Sequence, residues 1–287
     1  MTDSFSRAKQ LFELGGHLGH RKSRLHPRSR QFVYQIIDGV SIIDLEQTIE
    51  QIDVAKQVMV DAAKENRSIL ISATKKAVAH RAAELANSVG AHYITTKWLA
   101  GLLTNFNTIS KNVKKLIELK RQKEAGEWSK YVKHETVALE KEIHKLERLY
   151  SGIVGMTRLP DLMLVIDIKR EKNAVEEARK SGIPVIAIVD TNCNPDDVQY
   201  PIMLNDDTPN AVDAVFTELI EAYKKSVAAV AVKNKTPEQP KAEVKAVKAE
   251  SQEVPVAAEK VVEEKAPAAK KKVKTVVKKP KKTKSKK

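Results

Sequence analysis

The chain has 287 residues, room for one large or two small domains, and its net charge of +14 is unevenly spread. Residues 233–287 hold 18 lysines against seven glutamates, which leaves only +3 for residues 1–232, so cations in the body matter by clustering. One cysteine, Cys193, excludes an internal disulfide; no apolar run reaches the ~20 residues of a membrane span and no signal-peptide core opens the chain, so a soluble, cytoplasmic protein is expected.

Phe5 to Leu14 reads as a short amphipathic helix, with Ser4 as its N-cap and Gly15 just past its end. From Gly15 to Arg30 there is no helical or strand period, and the stretch is expected to be an extended loop. It holds His17, His20 and His26 with five cations, Arg21, Lys22, Arg24, Arg28 and Arg30, and no acidic residue. Phe32–Ile37 and Val40–Ile43 are β-rich runs around Asp38-Gly39, a pair suited to the positive φ angles of a tight hairpin. Leu45, Ile49, Ile52, Val58 and Ala62 mark a helix. Ser68–Ala73 is a buried-strand candidate, Thr74 a cap for a helix over Lys75–Ser88, and His92–Thr95 another strand.

Between Ile109 and Tyr150 strand signals vanish. Ile109, Val113 and Leu116, then Leu139, Ile143, Leu146 and Tyr150, are spaced four and three apart. That seam predicts an antiparallel coiled-coil helical hairpin, inserted over 109–150 and projecting from the body, with a polar connector at Gly126. Alternation resumes with a strand at Leu162–Ile166, a helix at Glu171–Ser181, strands at Pro184–Val189 and Tyr200–Leu204, and a helix at Ala211–Lys224 begun by Thr208-Pro209. The fold class expected is three-layer α/β/α with a mainly parallel, flavodoxin-like sheet, formed by residues 1–108 and 151–232. Residues 233–287, rich in Lys, Ala, Val, Glu and Pro and without aromatics, are expected to form a disordered tail.

Several chemistries compete for these residues. Gly15, Gly16 and Gly19 follow a helix, not a strand, and do not make a dinucleotide fingerprint; no Gly-Lys-Ser/Thr phosphate loop occurs. His17 and His20, with Asp190 and Asp206, are too few and too loosely spaced for a zinc set, so no metal or cofactor is expected. Asp167, Asp190, Asp206 and Asp207 recur at strand ends, where an α/β enzyme acting on a phosphorylated small molecule would place its carboxylates. The same residues suit loop and cap hydrogen bonds, and no nucleophile elbow accompanies them, so no catalytic residue is expected. The basic loop, with planar guanidiniums and no anions, points to phosphate.

Longer motifs carry a resemblance. GGHLGH at Gly15–His20, HPRSRQFVY ending at Tyr34 and IIDLEQT at Ile42–Thr48 resemble the N-terminal signature of the family of the second protein of the bacterial small ribosomal subunit. WLAGLLTNFNTI at Trp98–Ile109 resembles its second signature, and Leu159–Asp167 with Gly182–Asp207 its closing segment. The resemblance covers about Phe5 to Tyr223. It implies a non-enzymatic structural role in translation: binding small-subunit ribosomal RNA and neighbouring proteins, among them the large multi-domain messenger-binding protein, with no DNA or membrane partner. The candidate RNA-binding residues are therefore Arg21, Lys22, Arg24, Arg28 and Arg30, with Lys97, Asn105, Lys111 and Lys114 at and just after the second signature. The chain departs from the family pattern at His26, Ser41, Ala100, Met203-Leu204 and Asn210.

Overall fold

The computed structural model describes residues 2–233; the expected tail lies outside the described residues apart from Lys233. The strands that read as continuous apolar runs are fully buried on both faces. β4 (Ile69–Ser72), β6 (Leu162–Ile166) and β7 (Val185–Val189) are buried at every position and occupy the centre of a five-stranded parallel sheet. β5 (His92–Ile94) and β8 (Tyr200–Met203) form its edges, in the order β5-β4-β6-β7-β8. Counted along the sheet this is the doubly wound order 2-1-3-4-5, with the chain reversing direction of travel between β4 and β6.

Alternate residues of each strand face opposite sides, as the pleat requires. Ile69, Ile71, Leu162, Leu164, Ile186, Ile188 and Ile202 share one core with α2 (Leu45–Lys64), α3 (Lys76–Val89) and α7 (Pro209–Lys233). Leu70, Met163, Val165, Val185, Ala187 and Met203 share the other with α6 (Lys172–Lys180) and with α4 (Phe106–Glu124) and α5 (Lys133–Tyr150). Both faces are covered, so the body is a three-layer α/β fold.

α1 (Thr2–Glu13) begins earlier than its sequence pattern predicts, with Ser4 inside the helix rather than capping it, and packs on α2. The Gly15–Arg30 stretch is more ordered than an extended loop. It contains β1 (Leu18–Arg21) and two 3-10 turns, Lys22–Arg24 and Pro27–Phe32. β1 joins β3 (Val40–Ile43) and β2 (Val33–Ile37) in a separate antiparallel sheet, order β1-β3-β2. Its partner lies some twenty residues on and Gly19 interrupts its pattern, so local periodicity gives no sign of it. The β2–β3 turn is as expected, with Asp38 at φ 51° and Gly39 at φ 77°.

Thr74 does not cap α3: the N-cap is Lys75, with no side-chain cap bond, while the Thr74 hydroxyl bonds Glu171. α7 runs nine residues past Lys224, carried on by an alanine- and valine-rich stretch that presents no breaker. α4 and α5 pack antiparallel, as Asn112–Tyr150 (3.1 Å) and Lys123–Glu140 (3.0 Å) show. Their connector is not simply polar: Trp128 is buried in it. The seam residues Ile109, Val113, Leu116, Ile143 and Tyr150 are buried in the same core that covers the sheet.

Candidate nucleic-acid interface

Gly15–Arg30 runs across the carboxyl ends of β7 and β8. Asn205, just past β8, donates to this loop twice: its side-chain amide reaches the Gly15 carbonyl (2.9 Å) and its backbone N–H the Gly16 carbonyl (3.1 Å). The His20 backbone N–H donates to Thr191 Oγ1 (2.9 Å), and the His26 N–H to the Thr191 carbonyl (2.9 Å). Ser29, fully buried, donates its hydroxyl to the Cys193 carbonyl (2.5 Å). Close approach at this seat requires glycine, since a Cβ on Gly19 would lie 2.7 Å from Thr191 Cγ2 and 3.0 Å from the Ser41 carbonyl.

The strand-end aspartates are all engaged in hydrogen bonds, and one of them, Asp190, seats the loop. Asp190, almost fully buried, accepts from His20 Nδ1 (2.9 Å) and from the Thr191 hydroxyl (2.9 Å). His20 Nε2 lies 2.9 Å from the Asn192 amide. Lys75 donates to Asp207 Oδ1 (2.7 Å), Asp206 Oδ1 (3.1 Å) and the Asp206 carbonyl (2.5 Å). Burial, with Asp167 and Asp190 nearby, pushes Asp206 up to about 6 despite Lys75, whereas the Lys75 hydrogen bond holds exposed Asp207 below its ordinary value. Asp167, at φ 67°, accepts from the Lys169 and Arg170 N–H groups in a local turn.

The crevice between β4 and β6, where doubly wound sheets receive ligands, is filled by Glu171, buried and accepting from the Ser72 (3.1 Å) and Thr74 hydroxyls. Burial pushes the Cys193 thiol up to about 12, far from a reactive thiolate. His17 and His20 do not converge: His17 stacks on Phe12 at 4.0 Å, and burial lowers its pKa. Among the described residues no group of three His, Cys, Asp or Glu is placed to hold a metal ion. A recess of about 430 Å³ beside His20 is rimmed by exposed Arg21, Arg24 and Asp207, and its inner polar groups bond each other.

The loop cations face outward. Arg21, Lys22, Arg24, Arg28 and Arg30 are exposed, and among the described residues only Arg28 has an acidic neighbour, Asp196 at 3.6 Å. A loop whose backbone is bonded to the body and whose guanidiniums are left to solvent is pre-arranged for an external polyanion.

The second signature is held by a residue that no sequence motif marks. Glu177 on α6 is buried and accepts from Trp98 Nε1 (3.0 Å), the N–H groups of Gly101 (2.8 Å), Leu103 (3.1 Å) and Thr104 (3.3 Å), and the Thr104 hydroxyl (3.3 Å). Burial alone would raise its pKa; these donors outweigh burial and lower it. The loop so fixed presents Lys97 and Asn105 at the surface, with Lys111 and Lys114 exposed on the first turns of α4, none of the three lysines ion-paired among the described residues. No distance brings these four together with the Arg21–Arg30 cluster.

The sequence profile of ribosomal protein S2 matches residues 11–226, spanning the basic loop, the second signature and the whole sheet. The chain belongs to the ribosomal protein S2 family. It is similar to the small ribosomal subunit protein uS2 of Coprothermobacter proteolyticus, 40% identical over 214 residues, which cover 75% of this chain and 80% of that one. The uS2 of Dehalococcoides mccartyi strain 195 is 38% identical over 214 residues, covering 75% and 87%. Membership makes the chain a structural constituent of the small ribosomal subunit, at work in translation in the cytoplasm, and not an enzyme. Among the described residues no helix is long and apolar enough to cross a membrane.

Proposed function

We propose that the chain takes its place in the small subunit by binding ribosomal RNA through Arg21, Lys22, Arg24, Arg28 and Arg30, with Lys97, Asn105, Lys111 and Lys114 as a second group of contacts. The observation that carries this reading is the seating of the loop: its backbone and His20 are hydrogen-bonded to the sheet ends while its cations stay exposed. Arginine forks held in this way suit phosphate oxygens, and such contacts fix position without reading sequence.

In the same reading residues 109–150 act as an inserted coiled-coil arm, the α/β body comprises 1–108 and 151–232, and the Lys-rich tail adds charge-driven affinity. Neighbouring ribosomal proteins, including the large messenger-binding protein that the resemblance implies, complete the set of partners. The test is binding of small-subunit ribosomal RNA across a salt series by the wild type and by a variant with Arg21, Lys22, Arg24, Arg28 and Arg30 all changed to Ala. The variant is expected to bind more weakly and with a flatter salt slope, because every phosphate it fails to neutralise keeps its counterions. Affinity and slope unchanged by all five substitutions would remove the loop from the interface.

A further inference from the structure

α5 segregates its charges. Its four glutamates are all used within the hairpin: Glu135 accepts from the Val132 N–H at the helix start (3.3 Å), while Glu140, Glu142 and Glu147 pair with Lys123, Lys115 and Lys120 of α4. Ile143 and Tyr150 turn into the core. On the opposite face Lys141, Lys145 and Arg148 follow at i, i+4 and i+7, one line along the helix about 10 Å long. All three are exposed, and none has an ion-pair partner among the described residues. At its lower end the line meets the second-signature loop, since Thr96 donates its hydroxyl to the Arg148 carbonyl (3.0 Å) and Lys97 is the next residue.

From this we infer that the outer face of α5 is a second RNA-backbone surface, in which Lys141, Lys145 and Arg148 extend the contact of Lys97 outward along the hairpin. The inference rests on the RNA-binding reading above and adds to it residues that no motif marked. RNA phosphate fits this face better than a protein does. Apart from the cations it exposes His134, Val137, Ala138 and His144, so a single valine is its one sizeable apolar side chain, well short of the cluster of large apolar or aromatic anchors on which protein interfaces depend. No Phe, Tyr or Trp stands on this face to stack on bases, which leaves charge as its main means of recognition.

The experiment compares two triple variants of the full chain binding small-subunit ribosomal RNA across a salt series. Lys141→Gln, Lys145→Gln and Arg148→Gln remove the free face. Lys115→Gln, Lys120→Gln and Lys123→Gln remove the same charge from cations already paired. Glutamine keeps helix propensity close to that of lysine and arginine, and circular dichroism checks that both variants fold. The first variant is expected to lower the magnitude of the log–log salt slope by about two to three, one for each phosphate no longer neutralised. The second is expected to leave the slope where it was. Equal slopes in the first variant and the wild type would overturn the inference while leaving the loop reading intact. Equal reductions in both variants would overturn it too, by showing a general effect of net charge. A wild-type chain that binds no RNA would sink the loop reading itself, and this one with it.

Discussion

At the scale of single residues, Glu177 shows how one buried carboxylate can organise a signature. Four side-chain and backbone donors of one loop and a fifth from the Thr104 hydroxyl end on its two oxygens. Glu177→Ala would strand those donors in a water-poor site, and the expected cost is about 3–4 kcal/mol, measured by urea denaturation. Because folding lowers its pKa, Glu177 stabilises the protein above the ordinary carboxylate range, and that contribution is lost as pH falls through the folded value. Asp206 has the opposite sign. Pushed up to about 6 from an ordinary 3.8, it favours the folded state below about 4, and this contribution disappears as pH rises through 6. The change in unfolding midpoint between pH 5 and pH 7 is therefore expected to differ between wild type and Asp206→Asn, with the variant losing less on the way up. Identical pH profiles would mean that Lys75 already cancels the burial.

At the scale of elements, the strands of the parallel sheet and the two long helices α4 and α5 were legible, and the reasons are physical. A strand covered on both faces must be apolar throughout, as Leu162–Ile166 and Val185–Val189 are, and Asp38-Gly39 can turn where few other pairs do. What sequence periodicity could not convey were the long-range polar bonds. Nothing local in the α6 segment tells that Glu177 turns inward to Trp98, 79 residues away, and Thr74 looks like a cap until its hydroxyl is seen on Glu171, 97 residues away. The strand-end aspartates were visible along the chain, but their use by His20 and Lys75 required the fold. For the hairpin, Leu139→Asp is expected to open its outer half, with the body's cooperative transition retained. Its partly buried position sets a cost of about 2–3 kcal/mol, short of full core truncation. A single transition in which sheet and hairpin are lost together would show that the shared core makes them one unit. The hairpin's return to the body is tight: a Cβ on Gly152 would run into the Tyr93 carbonyl. Gly152→Ala should therefore shift the β5 edge and lower the thermal midpoint by several degrees.

At the scale of the whole molecule, charge divides the chain into a nearly neutral body and a strongly basic end. Residues 270–287 contain eleven lysines and no acid, and they carry no aromatic side chain. A chain ending at Lys233 is expected to fold and enter the small subunit, yet to bind unrelated RNA more weakly at low salt, as measured by filter binding. Failure to enter the subunit would show that the tail takes part in placement and not only in general affinity.

The seating of the basic loop also sets a timetable. His20 is bonded to Asp190 and Thr191, and Gly15 to Asn205, so partners are separated by 170 to 190 residues. During synthesis the loop leaves the ribosome early and its seat follows 170 to 190 residues later, an interval on the order of ten to thirty seconds at ordinary elongation rates. Until then its arginines hang on a strand paired only with β3 and not yet seated on the body. A chain cut short before Asp190 carries every cation of the loop and has only the local β1–β3 pairing to hold them, so an unfinished copy is poorly equipped to compete with a complete one for its position in a new particle.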